Sequence, residues 1–167
     1  MPRPPTAQPP LAFQPHDHGG CVARLVACAE SRAAERGLRL TPQRRRVLEI
    51  LLESHRAMGA YEVLGRLTEE GLGSQPPVVY RALEFLADLG VIHRVERLSA
   101  FVACARPGRR HRPVFLICRG CNRVAETEPE GVGGALDAAA GMIGFGIEAL
   151  SVEIEGLCPD CRPEARQ

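Results

Sequence analysis

Four cysteines carry the most pointed chemistry in this sequence. Cys118-Arg119-Gly120-Cys121 and Cys158-Pro159-Asp160-Cys161 each set two thiols across a tight turn, with Gly120 in one bend and Pro159 in the other. Two such turns supply four sulfur ligands in a tetrahedron, the coordination a structural zinc prefers. The 36 residues between the pairs exceed the spacing of a short zinc ribbon. They leave room for a strand, a helix and a further strand, so a metal would staple the ends of a small domain. Two redox dithiols or four unconnected thiols are the alternatives. An activated thiolate sits at a helix N-terminus, and by pattern neither CxxC opens a helix.

A second set is mixed: His93, Cys104, His111 and Glu126. Read singly, each has an ordinary role. A lone histidine near a strand is usually a satisfied surface residue, a cysteine can be a small buried hydrophobe, and a glutamate is usually solvated. Read together, they fall at the junction of two domains, and two imidazoles, a thiolate and a carboxylate suit zinc better than iron or magnesium because the thiolate is soft. His16 and His18 could add ligands, although flexible surface histidines is the plainer reading.

The elements that must position these residues follow from periodicity. Val22, Leu25, Val26, Ala29 and Ala33 recur at helical spacing until Gly37. Thr41 and Pro42 start a second helix with Val47, Leu48, Ile50, Leu51 and Leu52 inward. A third runs from Ala60 to Glu70, and Pro76-Pro77 opens a fourth that Gly90 ends. The spacing then shortens to two, through Val91–Glu96, a turn near Ser99, and Phe101–Cys104, which predicts a β-hairpin. Helices followed by a hairpin describe a winged helix-turn-helix, although a plain helical bundle with an appended hairpin fits the pattern too.

Beyond a Gly-, Pro- and Arg-rich loop the pattern predicts strands at Val114–Ile117 and near Val124, a helix over Val132–Met142 and a strand over Leu150–Ile154. The fold class is therefore α+β: a winged helix-turn-helix domain followed by a small α/β domain. The expected divisions are a loose arm at 1–20, the winged-helix domain at 21–105, a hinge at 106–112, the zinc-stapled domain at 113–162 and a tail at 163–167.

Composition narrows the function classes. The 167 residues carry a net charge of +1, so nucleic-acid binding must come from a local patch. Cys21 to Ala60 holds eight arginines against four glutamates, and Arg44-Arg45-Arg46 opens the second helix. Such a run is a solvated face or, beside a recognition helix, a phosphate contact. Tyr80 and Arg81 lie off the apolar stripe of the fourth helix; Arg81 can pair with a guanine edge and Tyr80 can pack on a thymine methyl. No apolar run approaches the ~18–20 residues of a membrane span, and the Pro-rich start lacks the pattern of a signal peptide. A cytoplasmic protein with reduced thiols is expected, and the odd count of seven cysteines fits metal or redox chemistry better than a disulfide framework. No catalytic constellation is apparent, so neither an enzyme nor a small-molecule substrate other than metal is expected. A zinc-ribbon interaction module is disfavoured by the Tyr80-Arg81 helix.

Residues 20 to 162 resemble the ferric uptake regulator superfamily, nearest its zinc uptake regulator branch. The resemblance rests on an ordered series: Leu40-Thr41-Pro42-Gln43-Arg44, Gly59-Ala60-Tyr61, Pro77-Val78-Val79-Tyr80-Arg81-Ala82-Leu83, Gly90-Val91-Ile92-His93-Arg94, Phe101-Val102-Ala103-Cys104, Phe115-Leu116-Ile117-Cys118 and Gly156-Leu157-Cys158. It implies a homodimer with a winged-helix DNA-binding domain and an α/β dimerisation domain. It implies two zinc ions per chain, one structural on Cys118, Cys121, Cys158 and Cys161, and one regulatory on His93, Cys104, His111 and Glu126. It implies a repressor of zinc uptake genes that binds double-stranded operator DNA when loaded with zinc. Tyr80, Arg81, Arg44 and Arg45 are the expected DNA contacts. The chain departs from the family at Val78, where threonine is usual, in a His-rich stretch reduced to His111, and in lacking the histidine of the last strand. These departures point away from a third metal site and from an iron or peroxide sensor. The alternatives are a regulator answering iron or another divalent metal, and a thiol redox protein.

Overall fold

A computed structural model describes residues 18–53, 56–72, 75–108 and 111–162. His16, most of the expected arm, Arg109 and Arg110 of the hinge, and the tail lie outside the described residues, as does the side chain of His18. Four helices open the fold: α1 (His18–Glu35), α2 (Pro42–Leu52), α3 (Ala60–Glu69) and α4 (Pro76–Asp88). The hairpin β1 (Ile92–Val95) and β2 (Ala100–Ala103) follows, then β3 (Val114–Cys118), β4 (Val124–Thr127), α5 (Val132–Gly141) and β5 (Val152–Gly156).

Local chemistry explains the punctuation. The hydroxyl of Thr41 accepts the Arg44 N–H at 3.3 Å, satisfying one orphan amide where Pro42 begins α2. Gly90 adopts φ 69°, which releases the chain from α4 into the hairpin. Ser99 takes φ 46° at the hairpin turn, after a 3-10 turn over Glu96–Leu98. The helix α1 begins at His18, ahead of the expected Cys21, because helical geometry extends through Gly19 and Gly20 without an apolar side chain to advertise it.

The strand β5 is displaced by two residues from its expectation at Leu150–Ile154. It pairs in parallel with β3 through Cys118↔Gly156, so register with the cysteine-bearing strand, not the apolar Leu150, sets where it lies. β4 pairs antiparallel on the other side of β3, giving the order β4-β3-β5.

Two cores result. Leu48, Ile50, Leu51, Leu67, Leu83, Leu86 and their neighbours on α1–α4 and β1 form the first. The second straddles the domains: Ala57, Val95, Ala100 and Val102 pack with Phe115, Ile117 and Val124. The wing is therefore seated on one face of the β4-β3-β5 sheet. The opposite side is open, for α5 buries none of its side chains and Leu136, Met142, Ile143, Phe145 and Ile154 are exposed. Among the described residues no helix is long and apolar enough to cross a membrane.

Candidate metal centres

The turn after β3 and the turn after β5 bring the two CxxC pairs together. One sulfur from each of Cys118, Cys121, Cys158 and Cys161 lies within 4.8 Å of the other three. The parallel register that ends at Cys118↔Gly156 makes this convergence possible, because it carries both turns to the same end of the sheet. Gly120 is required by close approach, since a Cβ there would meet Cys161 Sγ at 3.0 Å. Burial disfavours ionisation of Cys118, but the backbone amides of Cys158, Gly120 and Cys121 outweigh it and hold the thiol down to about 6. Arg123 donates to Cys121 Sγ at 3.3 Å and to Cys158 Sγ at 3.4 Å and pairs with Asp160. Cys161 is pushed up to about 12, by Cys158 first and Cys118 next, so a full set of four thiolates demands a cation at the centre. Contrary to the sequence pattern, the second pair does open a helical turn: Cys158 caps the 3-10 segment Pro159–Cys161. That segment has too few aligned peptides to activate a dithiol.

The mixed set also converges, with one ligand atom of each residue within 4.8 Å of the others. His93 comes from β1, Cys104 directly follows β2, His111 lies in the connecting loop and Glu126 is on β4. His111 Nε2 lies 2.6 Å from Glu126 Oε1, and Cys104 Sγ lies 3.7 Å from His111 Nε2 and 3.9 Å from Glu126 Oε1. The other carboxylate oxygen of Glu126 accepts the Ala105 N–H at 2.8 Å and stands 3.7 Å from His93 Nε2. The His111 and Glu126 side chains are only 6% and 5% exposed, so water cannot satisfy them.

This arrangement fits a cation. His93 Nε2 is buried with no hydrogen-bond partner, a costly state for a ring nitrogen. Burial pushes the Cys104 thiol up to about 12, with Glu126 adding to the effect. Burial also lowers the His93 pKa, against the pull of Glu126. A neutral imidazole with a free lone pair, aimed at a carboxylate and a thiol that cannot shed its proton unaided, is a donor set that fits a divalent ion. A soft sulfur among nitrogen and oxygen donors matches zinc.

The expected DNA-facing residues separate into two groups. Tyr80 is 43% exposed on α4 and Arg81 is exposed, with no ion pair among the described residues. Arg44 stacks over the Phe85 ring at 3.6 Å and donates to Arg39 O, which lays it along the α4 face one turn beyond Arg81. Arg45 is engaged by Glu30 at 2.7 Å and Glu49 at 3.0 Å, and Arg46 by Glu49, Glu53 and Glu70. Much of the arginine run thus ties α1, α2 and α3 together. Composition could not separate the two roles, because the carboxylate partners come from different helices.

Other residues escaped sequence reasoning. Arg32 Nε donates to Leu89 O and Arg36 Nη1 to Asp88 O, both at 2.6 Å, so an arginine of α1 and the one just after it satisfy carbonyls at the C-terminus of α4. The capping residue of α4, Gln75, makes no side-chain cap, and Val78 has no hydroxyl to offer, which leaves α4 positioned from its far end. Tyr61, 70% exposed on α3, is a large aromatic held out to solvent beside this helix pair.

Known proteins share this arrangement. The sequence model of the ferric uptake regulator family matches residues 35–155. The zinc uptake regulation protein of Escherichia coli strain K12 is 38% identical over 138 residues, covering 82% of this chain and 81% of that protein. A zinc uptake regulator solved in complex with zinc and DNA superposes with a TM-score of 0.79 at 37% identity, over 84% of this chain and 94% of that one. Another relative, XcZur, gives a TM-score of 0.74 in its holo crystal structure (40% identity, 83% and 96% covered) and 0.50 in its apo crystal structure (39% identity, 84% and 97% covered). Identity is nearly equal in the two comparisons, and this chain superposes better on the holo than on the apo crystal structure. The chain belongs to the ferric uptake regulator family, in its zinc uptake regulator branch.

Proposed function

We propose that this protein is a zinc-responsive transcriptional repressor, a homodimer that binds operator DNA when loaded with two zinc ions per chain and controls zinc uptake genes. The observation that carries this reading is the buried convergence of His93 and Cys104 from the wing side with His111 and Glu126 from the sheet side. Cys118, Cys121, Cys158 and Cys161 would hold the structural zinc, and the mixed set the regulatory one. Bound zinc supplies the positive charge that lets a thiolate and a carboxylate share a dry pocket.

The chain's own part is mechanical. With the wing seated on the sheet, α4 has a fixed orientation relative to the dimerisation domain. In a dimer that fixes the separation of two recognition helices against two operator half-sites. The unseated wing leaves α4 without a fixed orientation relative to the dimerisation domain, so the response is a shift of population between two arrangements. The open β5 edge and the apolar surface of α5 suit a second copy of the chain. A cytoplasmic site of action follows from the DNA target.

Tyr80 and Arg81 would read base edges, with Arg44 beside them on the backbone, whereas Arg45 is held by Glu30 and Glu49. Arg81→Ala is expected to weaken operator binding by about 1–3 kcal/mol. A gel shift at saturating zinc checks this, and unchanged affinity would remove Arg81 from the interface. The function itself is tested by operator binding titrated with buffered zinc, iron(II) and manganese(II). Zinc should induce binding at the lowest free concentration; induction by iron(II) or manganese(II) but not zinc would overturn the reading.

A further inference from the structure

The sheet face that receives the wing carries a second carboxylate besides Glu126. Phe115 on β3 is in register with Glu126 on β4 and with Glu153 on β5, so the three residues form one row across the sheet. Cross-strand neighbours point to the same side, and Phe115 lies under the wing, its ring centroid 5.5 Å from that of His93. Glu126 meets the hairpin at its open end, where His93 and Cys104 lie. Glu153 meets it at the closed end: its two oxygens accept the backbone N–H groups of Glu96 at 2.7 Å and Arg97 at 2.9 Å. These are the first residues of the 3-10 turn, whose preceding residue Val95 supplies no side-chain cap, so orphan amides are satisfied from another domain. The next carboxylate along β5, Glu155, pairs with Arg97 Nε at 2.8 Å.

We infer that Glu153 is a positioning residue for the zinc response: a metal-independent clamp on the wing tip that sets how much zinc is needed to seat the wing. This rests on the proposed function above. One row of the sheet grips the hairpin at both ends, and only one grip depends on the metal. A bidentate carboxylate on two backbone amides is charge-assisted and geometrically defined, unlike the more exposed Arg97–Glu155 ion pair, which contributes little. Because the clamp favours the seated arrangement in the absence of zinc, losing it must weaken zinc binding at the mixed site in proportion to the fall in the seated fraction. Glu153 bonds to none of the eight candidate ligands among the contacts above, so its effect on the mixed site travels through the wing.

The test compares the full-length wild type with Glu153→Ala and Glu153→Gln, each with its structural zinc in place. Amide hydrogen exchange at Glu96 and Arg97 in protein whose mixed site is empty should be protected in the wild type and accelerated in Glu153→Ala. Competition with a zinc chelator, without DNA, should show mixed-site affinity lower by roughly fivefold in Glu153→Ala, and by less in Glu153→Gln, which keeps one acceptor. The zinc needed for half-maximal operator binding should rise by the same factor, while operator affinity at saturating zinc stays within about twofold of wild type. A zinc affinity within twofold of wild type in Glu153→Ala, or unprotected Glu96 and Arg97 amides in the wild type, overturns the clamp. Equal loss of operator binding at all zinc concentrations also overturns it, since that marks a fold defect or a DNA contact. A wild type that binds operator without regard to zinc sinks the proposed function instead, and the exchange and chelator measurements still decide the clamp.

Discussion

A Cys118→Ser variant is expected to lose one zinc per chain and, with it, the folded state of the small domain. The reason lies in how little else holds that domain together. α5 buries no side chain, β5 is an edge strand that is half exposed along its length, and among the described residues the buried core of this domain is confined to Val114, Phe115, Ile117, Val124, Ala125, Cys118 and Cys158. The cage joins the ends of β3 and β5 across the 36 residues between the CxxC pairs. Metal binding to sites of this type is worth about 10–16 kcal/mol, as much as the whole folding free energy of an ordinary domain. Cys118 is the ligand to choose because Cys158 N–H donates to its sulfur at 3.3 Å, linking the two turns directly. Serine offers a hard oxygen that does not ionise at neutral pH, so three thiolates would remain around an incomplete site. Metal content by mass spectrometry should fall by one zinc per chain. Far-UV circular dichroism should lose strand signal while keeping most of the helix, and sedimentation should report monomer. A variant that keeps its dimer and its thermal transition within a few degrees would show that the sheet stands without the metal.

The helical domain was readable because its signals are local. Thr41, Pro42 and Gly90 act on their own neighbours, and the inward stripe of α2 follows from spacing alone. The cysteine cage was readable for a related reason: a CxxC predefines its own turn, and two of them restrict each other. The mixed site gave no such signal. His93, Cys104, His111 and Glu126 span 34 residues and four separate segments, and only the register Phe115↔Glu126 and the seating of Val95 and Val102 on the sheet bring them together. Placement at the domain junction hints at them, and the family resemblance strengthens that hint. Register and ion pairing were the least legible. Glu153 looks like any solvated strand glutamate until β5 is aligned on β3, and Arg45 looks like a phosphate contact until α1 brings Glu30 beside it. Such facts belong to tertiary packing, and a linear pattern does not contain them.

Cys104→Ser is expected to separate sensing from folding. Cys104 is fully buried, and with its thiol pushed up to about 12 it is a neutral S–H directed at Glu126 in the absence of metal. A serine hydroxyl has nearly the same shape and also is neutral, so the wing keeps its packing in the empty site. With zinc the two residues differ sharply. A thiolate next to zinc is a soft, charged donor, whereas a serine hydroxyl remains neutral and is a weak ligand. Removing outer-shell partners alone costs metal sites 10–100-fold, so losing a direct ligand should raise the zinc needed for half-maximal operator binding by about 100-fold or more. The variant should retain its dimer, its melting temperature without added zinc, and one tightly held zinc per chain on the cysteine cage. It should bind operator no better in ordinary zinc than the wild type does when its mixed site is empty. This pattern is distinct from that of Cys118→Ser, which loses the domain, and of Glu153→Ala, which shifts the zinc threshold several-fold and recovers. It also discriminates against a thiol redox role, for which zinc would leave operator binding unchanged in both proteins. If Cys104→Ser answers zinc at the wild-type concentration, the sensor lies elsewhere in the chain.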